Sequence, residues 1–197
     1  MKLTIDGLRV DTAPGVSLLE LVRILQLDTP RLSSRPLAAK IAGEVFNLNY
    51  IPLRHKDTAP ERPSIRRAMA ASGGIVHLLR YSDPTGKDVY TRTAQFVLFL
   101  ALRQLYPHAR GKMNCTLGAG LYIEVLNAPE FSADALKAEV QRLVEADIPL
   151  LRRRITTQEA IRGFHADGQN DKARLLAWRK DTDFDIYKDR RDTASDN

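Results

Sequence analysis

Lys2 to Leu25 reads KLTIDGLRVDTAPGVSLLELVRIL, and two short signals inside it set the fold of the first half. Lys2-Leu3-Thr4-Ile5 and Leu8-Arg9-Val10-Asp11 alternate apolar and polar residues on either side of Asp6-Gly7. Asp-Gly between alternating runs is the strongest short-range signal for a tight β-hairpin, because the favoured turn needs positive φ at both central residues. Pro14-Gly15 then turns the chain, Ser17 can cap a helix, and Glu20 three residues later completes a capping box ahead of Leu18, Leu19, Leu21, Val22 and Leu25. A hairpin with a short amphipathic helix packed on it is expected.

Further along, Leu37–Ala42 is strand-like, Gly43-Glu44 is expected to turn, and Val45–Tyr50 alternates again. Gly74–Tyr81 is a last apolar strand before the turn residues Asp83-Pro84-Thr85-Gly86. Hairpin, helix and further strands closing a sheet make a small β-grasp pattern of the ubiquitin kind. Residues 54–73, with prolines at 60 and 63, read as an inserted, basic, mobile loop.

The second half begins with an apolar helix expected from Thr93 to Tyr106 and stopped by Pro107. Gly118 and Gly120 lead into the strand Leu121–Val125, and Ser132 caps a helix whose apolar stripe is Leu136, Val140, Leu143 and Val144. After the stop at Asp147-Ile148-Pro149, Arg153-Arg154-Ile155 runs through Thr156-Thr157 into a capped helix, Gln158–Phe164, and another element spans Ala173 to Trp178. Asp189–Asn197 is charged and nearly devoid of apolar residues, as a disordered tail would be. The expected class is α+β: an N-terminal β-grasp domain over 1–83, then an α+β domain over 88–188.

Composition narrows the chemistry. Of 197 residues, 44% are hydrophobic and 27% charged, ordinary values for a globular protein with real cores. The longest apolar run, Phe96–Leu102, is far short of the ~20 residues that span a bilayer, and the N-terminus lacks the uninterrupted apolar core of a signal peptide, so a cytoplasmic location without membrane contact is expected. The single cysteine, Cys115, excludes an intrachain disulfide and a multi-cysteine zinc site, and reads as a buried thiol. His55, His77, His108 and His165 are scattered, with no pair on one helical face. No serine sits in a G-x-S-x-G elbow. Gly86-Lys87 and Gly111-Lys112 are followed by Asp and Met, without the upstream glycine of a phosphate-cradling P-loop. No catalytic group, metal or cofactor follows from these residues. The net charge of +6 and pI near 9.6 suit phosphate partners, with local clusters at Arg62, Arg66 and Arg67 and at Arg152, Arg153 and Arg154.

The text KLTIDG, PGVSLLEL and PLAAKIAGEVFNLNY resembles a TGS domain, the β-grasp module of threonyl-tRNA synthetase, certain GTPases and stringent-response enzymes. From Val89 onward the chain resembles the second additional domain that follows TGS in threonyl-tRNA synthetase and edits mischarged tRNA. VYTRTAQFVLFLALRQLYPHA, GAGLYIEV, IPLLRRRITTQEAIRGF and DKARLLAWR also resemble bacterial nucleoside kinases of the uridine kinase type, which carry both modules ahead of a P-loop kinase domain.

The departures from these families matter most. Where the editing domain opens its helix with two histidines at i and i+4, the matching residues are Arg92 and Phe96. Phe has no lone pair to give a metal, and Arg keeps its proton at physiological pH, so neither can act as a ligand. The resemblance implies that the family's second pair, a Cys and a His, belongs beyond Ile186-Tyr187-Lys188. The resemblance implies that the frame of an editing domain is kept and its chemistry lost; Phe96 is expected in the core beside Leu100, and Arg92 at the mouth of the old groove. The resemblance implies a non-catalytic ligand-, nucleotide- or RNA-binding N-terminal region of a uridine kinase-like protein, partnered by a P-loop kinase domain in cis or in trans. The alternative is a tRNA-binding adapter or degenerate editing protein related to threonyl-tRNA synthetase. Candidate phosphate contacts are Arg62, Arg66, Arg67, Arg92, Arg152, Arg153 and Arg154. Stacking on bases would call on exposed aromatics among Tyr50, Tyr81, Tyr122 and Trp178, with Trp178 expected in the core.

Overall fold

Asp6 and Gly7 both take positive φ, 46° and 85°, the conformation a two-residue hairpin turn requires. They join β1 (Lys2–Ile5) to β2 (Leu8–Asp11) in an antiparallel register that sets Leu3 opposite Val10 and Ile5 opposite Leu8. The computed structural model describes residues 2–52, 73–118, 120–147, 150–179 and 183–189. Residues 54–72 of the insert expected at 54–73, and 190–197 of the tail expected at 189–197, lie outside the described residues. The fold is mixed α+β and divides into two compact units, Met1–Leu100 and Ala101–Asn197.

In the first unit, α1 (Leu18–Ile24) opens with the capping box expected of Ser17 and Glu20. Its first amides donate outward: Leu18 N to the Tyr50 carbonyl at 2.9 Å and Leu19 N to the Leu48 carbonyl at 2.7 Å. The segment 47–50 is therefore a turn that closes the helix N-terminus, and β4 is shortened to Glu44–Phe46. β3 (Pro36–Ile41) pairs with β4 through a turn at Ala42 and Gly43, again both at positive φ, 48° and 88°. The expected turn at Gly43-Glu44 is thus displaced by one residue, because Glu44 already pairs with Ile41.

β5 (Ile75–Arg80) completes a five-stranded sheet in the order β2-β1-β5-β3-β4. β1 and β5 run parallel at its centre, and the other neighbours are antiparallel. α1 buries Leu18, Leu21 and Val22 against Leu3, Ile5, Ala39, Ile41, Phe46, Tyr50, Val76 and Leu78. At roughly 25 cal/mol per Å² of apolar surface removed from water, this cluster is the main stabilising term of the unit.

α2 begins at Pro84, not Thr93, and runs to Leu105. Pro is favoured in the first helical position, where its missing N–H costs nothing and its φ is preset. The Asp83 carbonyl accepts the first helical bond from Lys87 N at 2.8 Å, while the Asp83 carboxylate accepts from Arg80 N at 2.7 Å. Gly86 makes this tight entry possible: a Cβ there would stand 1.9 Å from the Arg80 carbonyl oxygen. The residues that read as a turn before a helix are its first turn.

In the second unit, β6 (Arg110–Leu117) and β7 (Gly120–Leu126) form an antiparallel ribbon with a bulge between Met113 and Cys115. β6 was not expected from the sequence. Cys115, expected as a buried thiol, is exposed on this ribbon. α3 (Ala133–Glu145) is capped by Ser132 as expected, and buries Leu136 and Leu143. Val144, assigned to the same stripe, is 59% exposed because it stands beside the buried line rather than on it. β8 (Leu150–Thr156) pairs antiparallel with β9 (Asp183–Asp189), so the expected connection through Arg153-Arg154-Ile155 is a strand, and Asp189 ends a strand rather than opening a tail. α4 (Thr157–Ala166) follows β8 directly, with Thr156 and Glu159 forming a second capping box, and α5 (Asn170–Ala177) packs beside it.

Candidate nucleic-acid interface

Arg92 and Phe96 sit well inside α2, since that helix starts at Pro84. One turn apart, they share a helical face. Arg92 is exposed, while Phe96 and Leu100 are half-buried, so Phe96 is not in the fully buried core assigned to it. Neither side chain can bind a metal, and among the described residues no three of His, Cys, Asp and Glu converge to hold one. Arg152, Arg153 and Arg154 lie on β8, where their backbones pair with Tyr187, Ile186 and Asp185; their side chains fall outside what is described. Arg62, Arg66 and Arg67 lie outside the described residues.

Several other cations are engaged in holding the second unit. Arg103 grips Asp167 with both terminal nitrogens at 3.2 Å. Arg110 donates to the Gly168 carbonyl at 2.7 Å. Arg142 makes bonds of 2.6 and 2.8 Å to Glu139, and these hydrogen bonds raise its already high pKa further. Lys172 stands 5.7 Å from the Phe164 ring centre. These groups already have partners within the second unit.

The aromatic candidates separate cleanly. Tyr50 is buried with its ring centre 4.5 Å from that of Phe46. Tyr81 meets Tyr90 edge to face at 5.1 Å. Tyr122 on β7 is 51% exposed, and Trp178 at the end of α5 is 89% exposed. The expectation of a core Trp178 is overturned. On α5 the inward face passes through Ala173 and half-buried Leu176, leaving Leu175 and Trp178 on the outer side. That signal was present in the small residue at 173, which permits close helix approach, but spacing from Leu175 alone pointed the other way.

No family model matches the chain. It is similar to threonine–tRNA ligases: 22% identical over 174 residues to that of Syntrophomonas wolfei subsp. wolfei, covering 87% of this chain and 24% of the relative. Against the threonine–tRNA ligase of Hyphomonas neptunium it is 26% identical over 174 residues, 87% of this chain and 23% of the relative. Against that of Listeria welshimeri it is 25% identical over 192 residues, 95% of this chain and 27% of the relative. The chain thus spans about a quarter of the length of the curated relatives it matches. These relatives support the synthetase-related alternative. The uridine kinase-type reading, and the P-loop partner it implied, gain no support from them and give way to it. Among the described residues, no helix is long and apolar enough to cross a membrane.

Proposed function

We propose that this chain is a non-catalytic tRNA-binding module related to the threonine–tRNA ligases, with a TGS-type β-grasp in its first half and, in its second, an editing-domain frame in which Arg92 and Phe96 stand at the paired-histidine positions. The observation that carries this reading is the continuity of similarity to those ligases, over 87% to 95% of the chain. The β2-β1-β5-β3-β4 order, parallel at the centre and crossed by one capped helix, supports the β-grasp half. Arg92 and Phe96 on α2 support a site without metal or general-base chemistry. The phosphate contacts are drawn from Arg92, Arg152, Arg153 and Arg154, with Arg62, Arg66 and Arg67 as further candidates.

Fluorescence anisotropy of labelled tRNA at low and physiological salt tests the reading, with an unstructured RNA of equal length as the control. Preferential binding of tRNA with a steep loss of affinity in salt is expected, because each neutralised phosphate releases counterions. Arg92→Ala should lower the magnitude of the salt slope by about one. Equal binding of both RNAs, or none, rejects the proposal.

A further inference from the structure

α5 carries two faces of opposite character. Ala173 is 1% exposed and Leu176 half-buried, so that side turns inward. Arg174, Leu175 and Trp178, at i, i+1 and i+4, lie on the other side, where one helical turn brings i and i+4 together. Leu175 is 70% exposed and Trp178, in the C-cap position, is 89% exposed. Leaving an indole this open forgoes one of the largest gains from burial that a side chain offers. Arg174 has no carboxylate partner among the described residues, whereas Arg179, which follows the indole directly in the chain, already has an interaction of its own.

From this arrangement we propose that Trp178 is a base-stacking platform for an unpaired nucleotide of RNA, with Arg174 supplying positive charge for a flanking phosphate. It rests on the RNA-binding reading above and adds a residue and a mode of contact to it. An exposed π-face next to a guanidinium group meets the two chemistries a single-stranded nucleic acid offers, a flat base and an anionic backbone. Charge favours RNA over a second copy of the chain: the protein carries a net charge of +6, so two copies repel, whereas a polyanion is attracted. The Trp178 and Leu175 side chains are also far too small a surface for a standard protein interface, which takes about 20 to 30 residues a side.

Trp178 is the sole tryptophan in the sequence, so intrinsic emission reports on this position alone. Titrating the full chain with a short unpaired RNA oligonucleotide should quench that emission in step with the anisotropy of the labelled RNA. Trp178→Ala should weaken binding about tenfold, as expected for one lost base–aromatic stack, while Trp178→Phe stays near wild type. Arg174→Ala should lower the salt slope by about one. Circular dichroism should show both Trp178 variants folded, since the side chain is almost wholly exposed. RNA that binds with unchanged emission, and equally well to Trp178→Ala, overturns this inference and leaves the function proposed above standing. Absence of binding to any RNA overturns both. Self-association that Trp178→Ala abolishes, with RNA affinity untouched, assigns the face to contacts between copies and also overturns it.

Discussion

Asp6 shows how much one residue can carry. Its positive φ is tolerated because a short carboxylate side chain is among the few that accept this conformation, and the same side chain then reaches across the sheet. Oδ1 accepts from Leu78 N at 2.8 Å and Oδ2 pairs with Arg80 at 2.8 Å. Arg80 in turn donates from Nε to the Ser34 carbonyl at 3.1 Å and from Nη1 to the Leu78 carbonyl at 3.2 Å. Asp6 and Arg80 are 24% and 26% exposed, so solvent screens the pair only in part. Asp6→Ala removes both of these bonds and leaves the Leu78 N–H without its carboxylate acceptor, and should lower stability by roughly 2 kcal/mol. Asp6→Asn, which keeps the turn and one acceptor, should cost less. Urea unfolding with an unchanged slope would register both losses, and a midpoint for Asp6→Ala equal to wild type would show that the bridge is not stabilising. The turn at Asp6-Gly7 was legible because its cause is local; the bond to Leu78, 72 residues away, was not.

Among the elements, the short helices depend on their caps. In α1 the Ser17 amide and hydroxyl donate to Glu20 Oε2 at 2.7 and 2.8 Å, and the Ser17 oxygen accepts from Glu20 N at 3.3 Å. The backbone bond from Ser17, then the hydroxyl bond, holds the Glu20 pKa below its ordinary value. A carboxylate whose folded pKa is depressed stabilises the fold above its unfolded pKa, and that contribution is lost as pH falls through the folded value. Glu20→Gln should therefore be less stable than wild type at neutral pH, with the gap closing below the ordinary carboxylate range. Melting temperatures of both proteins across that range test it, and a gap that persists in acid would assign the loss to something other than charge. The same box recurs at Thr156 and Glu159. These caps could be read because all their partners lie within four residues. β8 could not: Arg152, Arg153 and Arg154 break any apolar alternation, and the strand is defined by pairing with β9 some thirty residues later. The start of α2 was hidden differently, since Asp83-Pro84-Thr85-Gly86 has a turn's composition and only the close approach to Arg80 shows why Gly86 belongs in a helix.

For the whole molecule, the unequal distribution of buried apolar side chains has consequences for dynamics. In the first unit Leu3, Ile5, Leu18, Ala39, Ile41 and Val76 are completely sealed. Among the described residues of the second, burial is thinner: Ala101, Leu102, Leu136, Leu143, Ala160 and Ala173, three of them alanines. Leu117, Val144, Leu175 and Trp178 meanwhile stand open. Sequence composition averages over both units and hides this contrast. Local opening is easiest where few apolar contacts must be broken, so the two units should differ in amide protection. Native-state hydrogen exchange should find the amides of β1 and β5 the slowest in the chain, with α4 and α5 opening independently and much faster. A helix pair that opens readily can adjust around a bound nucleotide, and RNA should then slow exchange in α5 more than in β1. Equal protection of both units in the free protein would mean that buried area in the second half has been underestimated by these side chains. Protection that rises only in the first unit on adding RNA would move the binding surface away from Trp178 and onto the face that carries Arg92.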